Sequence, residues 1–219
     1  MRVAVMQPYF YPYMGYFRLI AAVDVFVLFD CVQFPRRGRV HRSEVPDVRG
    51  GSSWLTLPLT PSARDSPIEA LCFPPEAERN FAGRRARFPW LTGLPDPVAA
   101  ALKGPFDRPI DYLERNLCAV AAYLQLPTRF ARSSKLRLSP DLRKGARVRA
   151  AACALGATHY LNAPGGRDLY DPESFQADGL ELEFLAPYHG PYLHMLHALA
   201  TVPRRILADD VMQWQREAA

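Results

Sequence analysis

The first thirty residues contain the pattern that most constrains what this chain can fold into. Arg2–Met6 is an apolar run too short for a helix, and it is typical of a buried strand. Pro8 and Pro12 follow, and each prevents continuation of a helix or strand because proline fixes φ and lacks a backbone N–H. A helical pattern over 16–23 and a second apolar strand over 25–29 come next. The order strand, rigid aromatic loop, helix, strand predicts a βαβ unit.

Downstream of this unit, helical patterns continue to alternate with short strands. We expect strands at 53–59, 128–133, 158–162 and 180–185, and helices at 107–125, 141–155 and 194–199. The alternation predicts an α/β, Rossmann-like fold with a mostly parallel sheet flanked by helices. Residues 1–219 are expected to form a single domain with a Pro- and Arg-rich helical insertion at 60–107. Residues 180–185 alternate apolar and acidic side chains, which predicts an edge strand, and 213–219 are expected to be frayed.

Length and composition limit the class of protein. The 219 residues are 49% hydrophobic, which supports the core of one globular domain. No apolar stretch approaches the roughly 20 residues that a membrane span needs. Because the N-terminus is a strand and not a signal peptide, we expect a cytoplasmic protein that does not act on a membrane. The net charge of +5 fits an anionic small ligand or RNA.

The loop after the first strand is a candidate binding site, because ligands of open α/β sheets bind beyond the carboxyl ends of the strands. Tyrosine combines a flat apolar face with a polar end and is suited to contacting a sugar, a base or an acyl chain. The candidate substrate-binding residues here are Gln7, Tyr9, Tyr11, Tyr13 and Tyr16. The alternative is a loop packed onto its own core, but the two prolines favour a rigid, preorganised site.

A second group of polar residues follows the second strand. Its candidate catalytic residues are Asp30, Gln33 and His41, and its candidate anion-binding residues are Arg36, Arg37 and Arg42. An aspartate at a strand end can orient a nucleophile or act as a base. Guanidinium groups hold phosphate or carboxylate through paired hydrogen bonds. A solvated basic loop is the competing interpretation of these residues.

Two later segments add candidate substrate-binding residues. Lys144 and Arg147 lie near the start of the helix at 141–155, where they would contact phosphate or face solvent. Asn162, Gly165 and Gly166 follow the strand at 158–162, and glycines there let a ligand approach the backbone closely. A Gly-Gly turn alone is a weak indication of a site.

Metal and cofactor motifs are missing from the sequence. His189, His194 and His197 lack an acidic or cysteine partner at a suitable spacing, and no His-Glu-x-x-His pattern occurs. The four cysteines show no CxxC spacing, and Cys31 is predicted to be a buried thiol. There is no Walker loop, GxGxxG or GxSxG motif. We therefore predict no metal site and no cofactor.

Four stretches together resemble the WbqC-like family. The first two are Met-Gln-Pro-Tyr-Phe-Tyr-Pro-Tyr-Met-Gly-Tyr-Phe at 6–17 and Ala-Val-Asp-Val-Phe-Val-Leu-Phe-Asp-Cys-Val-Gln-Phe at 22–34. The others are Arg-Arg-Gly-Arg-Val-His-Arg at 36–42 and Leu-Gly-Ala-Thr-His-Tyr-Leu-Asn-Ala-Pro-Gly-Gly-Arg-Asp-Leu-Tyr at 155–170. The resemblance implies a setting in bacterial O-antigen or related biosynthetic gene clusters. The chain departs from the family pattern at Cys31, Arg39 and His41, and these differences suggest a specialised member from natural-product biosynthesis.

The resemblance and the polar residues lead to three functional hypotheses. The first is a transferase that attaches an acyl or aminoacyl group, for example glycyl, to the amine of an amino sugar or similar acceptor. Its partners would be a small-molecule acceptor and an anionic activated donor, which includes tRNA as an aminoacyl carrier. The second is a nucleotidyltransferase, although the first loop lacks the histidine of that class. The third is a non-catalytic binding subunit, in which Arg84, Arg85, Arg87, Phe88 and Trp90 would contact a partner or RNA.

Overall fold

The structure is a computed structural model that describes residues 1–48, 50–214 and the backbone of 216–218. The strands are β1 (Arg2–Met6), β2 (Val25–Leu28), β3 (Arg42–Pro46), β4 (Ser52–Thr56), β5 (Arg129–Arg132), β6 (His159–Asn162), β7 (Glu181–Leu185) and β8 (Arg216–Ala218). The α helices are α1 (Met14–Ala21), α2 (Ala77–Arg85), α3 (Val98–Lys103), α4 (Pro109–Tyr123), α5 (Lys144–Ala154), α6 (Pro172–Ala177), α7 (Met195–Thr201) and α8 (Arg204–Met212). Short 3₁₀ turns occupy Ile68–Ala70, Pro89–Gly93, Ser133–Lys135 and Pro164–Leu169.

The main sheet has the strand order β5-β2-β1-β6-β7-β8. The first five of these are parallel neighbours, and β8 is antiparallel to β7. Counted along the chain, the parallel strands stand in the order third, second, first, fourth, fifth. This is the doubly wound Rossmann arrangement. The predicted α/β, Rossmann-like fold with a mostly parallel sheet is confirmed.

Both faces of the sheet are covered by helices, as the continuous apolar runs of its central strands require. Ala4, Phe26 and Leu28 pack into one buried cluster with side chains of α1, α4, α7 and α8. Val5 and Val27 point to the opposite face and pack with α5 and α6. The register pairs residues 3–6 of β1 with 25–28 of β2, so each face stays continuous across the sheet.

The segment predicted as a strand at 53–59 does not join this sheet. It forms β4, which pairs antiparallel with β3 as a separate hairpin. No strand is predicted at β3 from the sequence, because its basic neighbours resemble a loop. Only Ser43 and Val45 point inward from β3, so its period-two pattern contains a single large apolar residue.

Residues 60–107 contain α2, α3 and two 3₁₀ turns, between β4 and α4. Phe81, Phe88 and Leu102 from this segment belong to the same buried cluster as α1. The apolar side chains of this segment therefore pack on the same face of the main sheet as α1.

The end of the chain differs from expectation. The strand predicted at the sheet edge is β7, but Glu183–Leu185 pair with residues 216–218 of β8. The frayed ending expected for 213–219 is thus wrong for 216–218, and residues 215 and 219 lie outside the described part. Within the described chain, no helix combines the length and the apolar character needed to cross a bilayer.

Candidate functional site at the switch point of the sheet

The centre of the sheet contains a topological switch point between β1 and β6. After β1 the chain proceeds through α1 to β2 on one side, and after β6 it proceeds to β7 on the other. The loops leaving the two carboxyl ends therefore diverge and open a crevice, the place where doubly wound folds bind ligands. A cavity of about 620 Å³ lies there, which we call the switch-point cavity.

Tyrosines dominate the wall of the switch-point cavity. The side chains that line it are Val5, Met6, Gln7, Tyr9, Tyr13, Tyr16, Leu19, Phe29, Asn162, Ala163, Pro164, Gly165, Gly166, Leu169, Tyr170, Pro187 and Tyr188. The rings of Tyr9 and Tyr16 lie 5.4 Å apart, and those of Tyr13 and Tyr188 lie 6.1 Å apart. None of these described lining residues carries a formal charge. The cavity thus suits a neutral polar molecule with flat faces.

The loop from Gln7 to Tyr13 is fixed by hydrogen bonds to three other segments. The Tyr16 hydroxyl donates to the Gln7 carbonyl at 2.7 Å, and the Phe10 N–H donates to the Arg39 carbonyl at 2.9 Å. Ser43 Oγ donates to the Tyr11 carbonyl at 2.9 Å. Such cross-links preorganise the loop, as the sequence predicted from its prolines.

Tyr11 is not part of the cavity. Its side chain is buried, and its hydroxyl donates to Asn116 Oδ1 on α4. Its backbone has φ of 44°, a left-handed conformation that is uncommon for a residue with a side chain. Tyr11 therefore anchors the loop to the core, as the alternative interpretation expects, whereas Tyr9, Tyr13 and Tyr16 face the cavity.

The phenols of the cavity are hydrogen-bond donors at neutral pH. Burial raises the pKa of Tyr13, Tyr16, Tyr170 and Tyr188 above the ordinary value for tyrosine. Burial also raises the pKa of Tyr9, with the nearby Arg39 charge opposing part of that rise. The rings thus provide neutral O–H groups and apolar faces rather than negative charge.

The turn after β6 forms the opposite wall. Asn162 is buried, and its Oδ1 accepts the Ala163 N–H at 2.8 Å. Gly166 packs so closely on this amide that a methyl group built on it would lie 2.9 Å from Asn162 Cγ. Gly165 faces open space. The structure thus brings Asn162, Gly165 and Gly166 together with Gln7, Tyr9 and Tyr13 of the first loop and Tyr16 of α1.

Asp30 lies elsewhere. It is fully buried at the end of β2, where its Oδ1 accepts hydrogen bonds from Ser133 Oγ at 2.8 Å and the Ser134 N–H at 2.9 Å. Its Oδ2 accepts from Ser134 Oγ at 2.6 Å. The sequence predicts that Asp30 faces the ligand, and the structure corrects this expectation. The buried carboxylate instead joins the end of β2 to the segment after β5.

A second cavity, of about 560 Å³, lies beyond the carboxyl ends of β2 and β5. We call it the basic cavity, and its polar lining residues are Cys31, Gln33, Asp65, Glu69, Arg143, Lys144 and Arg147. Arg147 Nε donates to Cys31 Sγ at 3.0 Å, while Lys144 is exposed. Gln33 Nε2 donates to the Arg64 carbonyl at 2.8 Å. Gln33, Lys144 and Arg147 therefore lie together, but apart from the switch-point cavity.

The predicted anion-binding arginines lie on the surface outside both cavities. Arg36 donates to the Ser62 carbonyl at 2.6 Å, and Arg37 is exposed. Arg42 donates to the Gly38 carbonyl at 3.1 Å and covers the ring of Trp54 at 4.2 Å from its centroid. These side chains do not converge with Asp30, although they follow it closely in sequence.

His41 also lies outside both cavities. Its ring packs edge-on against Phe34 with centroids 5.0 Å apart, and its buried Nδ1 has no hydrogen-bond partner among the described residues. Burial, together with the charges of Arg42 and Arg84, lowers the pKa of His41 to about 4. A neutral imidazole in this packing position does not fit the predicted catalytic role.

Replacement of His41 by leucine is expected to make the stability less sensitive to acid. A histidine whose folded pKa is lowered binds its proton more readily when unfolded, so folding loses stability as pH falls from about 6.5 towards 4. The melting temperature of each protein is measured at pH 5 and at pH 7.5. The drop in melting temperature from pH 7.5 to pH 5 should be larger for wild type than for His41→Leu. Parallel shifts in the two proteins would show that His41 is not a source of this acid sensitivity.

The remaining histidines have separate surroundings. His194 Nδ1 lies 3.1 Å from the Glu44 carbonyl oxygen, whereas His197 packs edge-on against Trp90 with centroids 5.1 Å apart. His189 borders a small cavity of about 260 Å³ next to Arg18 and Tyr188. Among the described residues, no three His, Cys, Asp or Glu side chains are grouped to hold a metal ion.

Comparison with known proteins places the chain in a family. The model of the WbqC-like protein family matches residues 7–201. The chain belongs to the WbqC-like protein family. The match confirms the resemblance based on residues 6–42 and 155–170. A relative, the uncharacterised protein Rv1507c of Mycobacterium tuberculosis, is 25% identical over 181 residues, which cover 80% of this chain and 77% of the relative. No solved structure matches the chain.

In this WbqC-like protein the family match includes both walls of the switch-point cavity from Gln7 to Tyr188. Sequence reasoning missed Tyr170 and Tyr188, which complete the aromatic wall. Tyr188 lies three residues beyond β7, and Tyr170 directly follows the 3₁₀ turn Pro164–Leu169 after β6. Their positions after strands indicate a place near the site, but neither belongs to an aromatic cluster in the sequence.

Proposed function

We propose that this WbqC-like protein is a biosynthetic transferase that attaches an acyl or aminoacyl group, for example glycyl, to the amine of a small polar acceptor such as an amino sugar. The acceptor would occupy the switch-point cavity. The observation that carries the proposal is an uncharged, tyrosine-lined cavity with two amide side chains, Gln7 and Asn162, at the switch point of the sheet. Sugar rings stack on aromatic faces, and their hydroxyls pair with amides and phenols.

An uncharged cavity also favours the nucleophile that amide formation needs. Desolvation disfavours an ammonium ion, so a bound amine would have a lowered pKa and would react in its neutral form. The amine nitrogen would form a bond to the acyl carbon, the bond from that carbon to the donor's leaving atom would break, and the leaving atom would take the amine proton. This route needs no carboxylate in the cavity, in agreement with the buried position of Asp30.

The direct test is mass spectrometry of products after incubation with amino-sugar nucleotides and activated donors, namely acyl thioesters, aminoacyl thioesters and aminoacyl-tRNA. An acceptor should gain the mass of one acyl group. The matched control is the same sugar with its amine already acetylated, which should remain unchanged. Absence of any mass gain across the panel would contradict the proposal.

The basic cavity favours nucleotidyl transfer as a second candidate. Arg143, Lys144 and Arg147 line it beyond two strand ends, where the phosphates of a nucleoside triphosphate could bind. Pyrophosphate release from nucleoside triphosphates, lost in Lys144→Gln and retained in the exposed Lys135→Gln, would support this candidate. If neither acyl transfer nor pyrophosphate release occurs, the third hypothesis of a non-catalytic binding subunit becomes the favoured one.

A further inference from the structure

Two basic segments far apart in sequence meet around the β3–β4 hairpin. We call the resulting surface the arginine face, and it consists of Arg36, Arg37, Arg39, Arg42, Arg84 and Arg87 around Trp54. The guanidinium carbons of Arg42 and Arg39 lie 4.2 and 5.3 Å from the centroid of the Trp54 ring. From α2 and the turn after it, Arg84 donates to the Thr56 carbonyl at 2.7 Å and Arg87 reaches Ser53 Oγ at 3.5 Å. Neither segment alone indicates this surface.

Acidic side chains in the described part of the chain leave most of the charge on the arginine face unneutralised. Among the described residues, Arg39 is the member that forms an ion pair, with Glu44 at 3.2 Å. The guanidinium groups of Arg36, Arg42 and Arg84 instead donate to backbone carbonyls, which orient them without cancelling their charge. A surface of oriented cations, two of which lie over an aromatic ring, is suited to binding phosphates.

Hydrogen bonds connect the arginine face to the loop that lines the switch-point cavity. The Phe10 N–H donates to the Arg39 carbonyl, so the loop that carries the face is bonded to the loop that lines the cavity. Ser43 of β3 makes a second connection through the Tyr11 carbonyl. The Arg39 charge also lowers the pKa of Tyr9 and Tyr13, although burial raises the pKa of both by more.

We propose that the arginine face binds the acceptor stem of an aminoacyl-tRNA, whose aminoacyl ester would then lie at the switch-point cavity. That the tRNA carries an aminoacyl group rests on the proposed function, whereas the RNA contact is inferred from the arginine face. The acceptor amine would form an amide bond to the ester carbon. The ester C–O bond would break, and the ribose oxygen would take the amine proton.

The first test measures binding of deacylated total bacterial tRNA to the full chain by fluorescence anisotropy at several salt concentrations between 50 and 200 mM. Each phosphate contact contributes about −0.7 to −0.9 to the slope of log K against log salt. We expect a slope steeper than about −3, since at least four arginines of the face are free of acidic partners among the described residues. An absence of binding at 50 mM salt would overturn the proposal.

Two variants with equal loss of charge locate the binding surface. Arg37→Gln/Arg87→Gln removes one exposed arginine from each segment of the face, and Arg204→Gln/Arg205→Gln removes two from α8. The first double variant should reduce the salt slope by about 2 and weaken binding by about tenfold or more, because two phosphate contacts are lost. The α8 variant should stay within about twofold of wild type. Equal weakening in both would indicate attraction to net charge and would overturn the proposal.

Further outcomes separate this inference from the proposed function. If tRNA binds through the face but no donor yields an amide, the RNA contact stands and the transfer proposal fails. If an acyl thioester serves as donor while tRNA does not bind, the transfer proposal stands and the RNA contact fails. Unlabelled tRNA and poly-glutamate are also compared as competitors of labelled tRNA. If poly-glutamate competes as effectively as tRNA, the arginine face binds an acidic protein and the proposal is overturned.

Discussion

Asp30→Ala is expected to lower the free energy of unfolding by about 3 kcal/mol or more, because three donors would lose a buried acceptor. The Ser133 hydroxyl, the Ser134 N–H and the Ser134 hydroxyl all donate to this one carboxylate, which has no exposed surface. For a chain of 219 residues, a loss of this size lowers the melting temperature by about 6–12 °C. Urea unfolding of wild type and variant measures the change in free energy directly.

The matched control for this prediction is Asp65→Ala. Asp65 is an exposed carboxylate that lines the basic cavity, so its loss changes the local charge without removing a buried acceptor. Its stability should remain within about 0.5 kcal/mol of wild type. An Asp30→Ala protein that melts with wild type yet loses activity by about 10² or more would show that Asp30 acts as an acid or base.

This expectation reverses what the sequence indicates about Asp30. In sequence, an aspartate at a strand end followed by several arginines resembles a catalytic group beside an anion site. The partners of Asp30 in the fold are Ser133 and Ser134, about a hundred residues away, and they follow a strand that pairs with β2. The pairing of β2 with β5 is a tertiary contact, and no local pattern around residue 30 predicts it.

The first wall of the cavity was predictable because its determinants are local. Apolar β1 followed at once by two prolines fixes a loop at a strand's carboxyl end, and the strand order then makes that end a switch point. Within the loop, the division of the tyrosines was not predictable. Tyr11 turns into the core through a positive φ and a hydroxyl contact to α4, whereas Tyr9 and Tyr13 remain at the surface of the cavity.

The arginines show a different limit of local reasoning. A run of basic residues at 36–42 indicates charge but not direction, because the hairpin that orients it depends on β3, a strand with little apolar signal. The second basic segment contributes Arg84 and Arg87 to the same surface, while Phe88 is buried and Trp90 packs against His197. The predicted 84–90 patch is therefore divided between surface and core.

Gly166→Ala is expected to disable the switch-point cavity and to destabilise the turn after β6. The new methyl group would lie 2.9 Å from Asn162 Cγ, well inside ordinary contact distance. Asn162 cannot yield freely, because it is buried and its Oδ1 accepts the Ala163 N–H at 2.8 Å. Either the amide moves into the cavity or the turn opens, and overpacking of this kind costs about 1–3 kcal/mol.

Gly165→Ala provides the comparison for stability, since a methyl group at Gly165 meets no atom within 4 Å. Its melting temperature should equal that of wild type, whereas Gly166→Ala should melt about 2–12 °C lower, as a loss of about 1–3 kcal/mol predicts for a chain of this size. With the acceptor found by product analysis, Gly166→Ala should reduce kcat/KM by about tenfold or more, since a misplaced amide no longer pairs with the acceptor. Unchanged kcat/KM together with a lowered melting temperature would mean that Asn162 supports the turn and does not contact the acceptor.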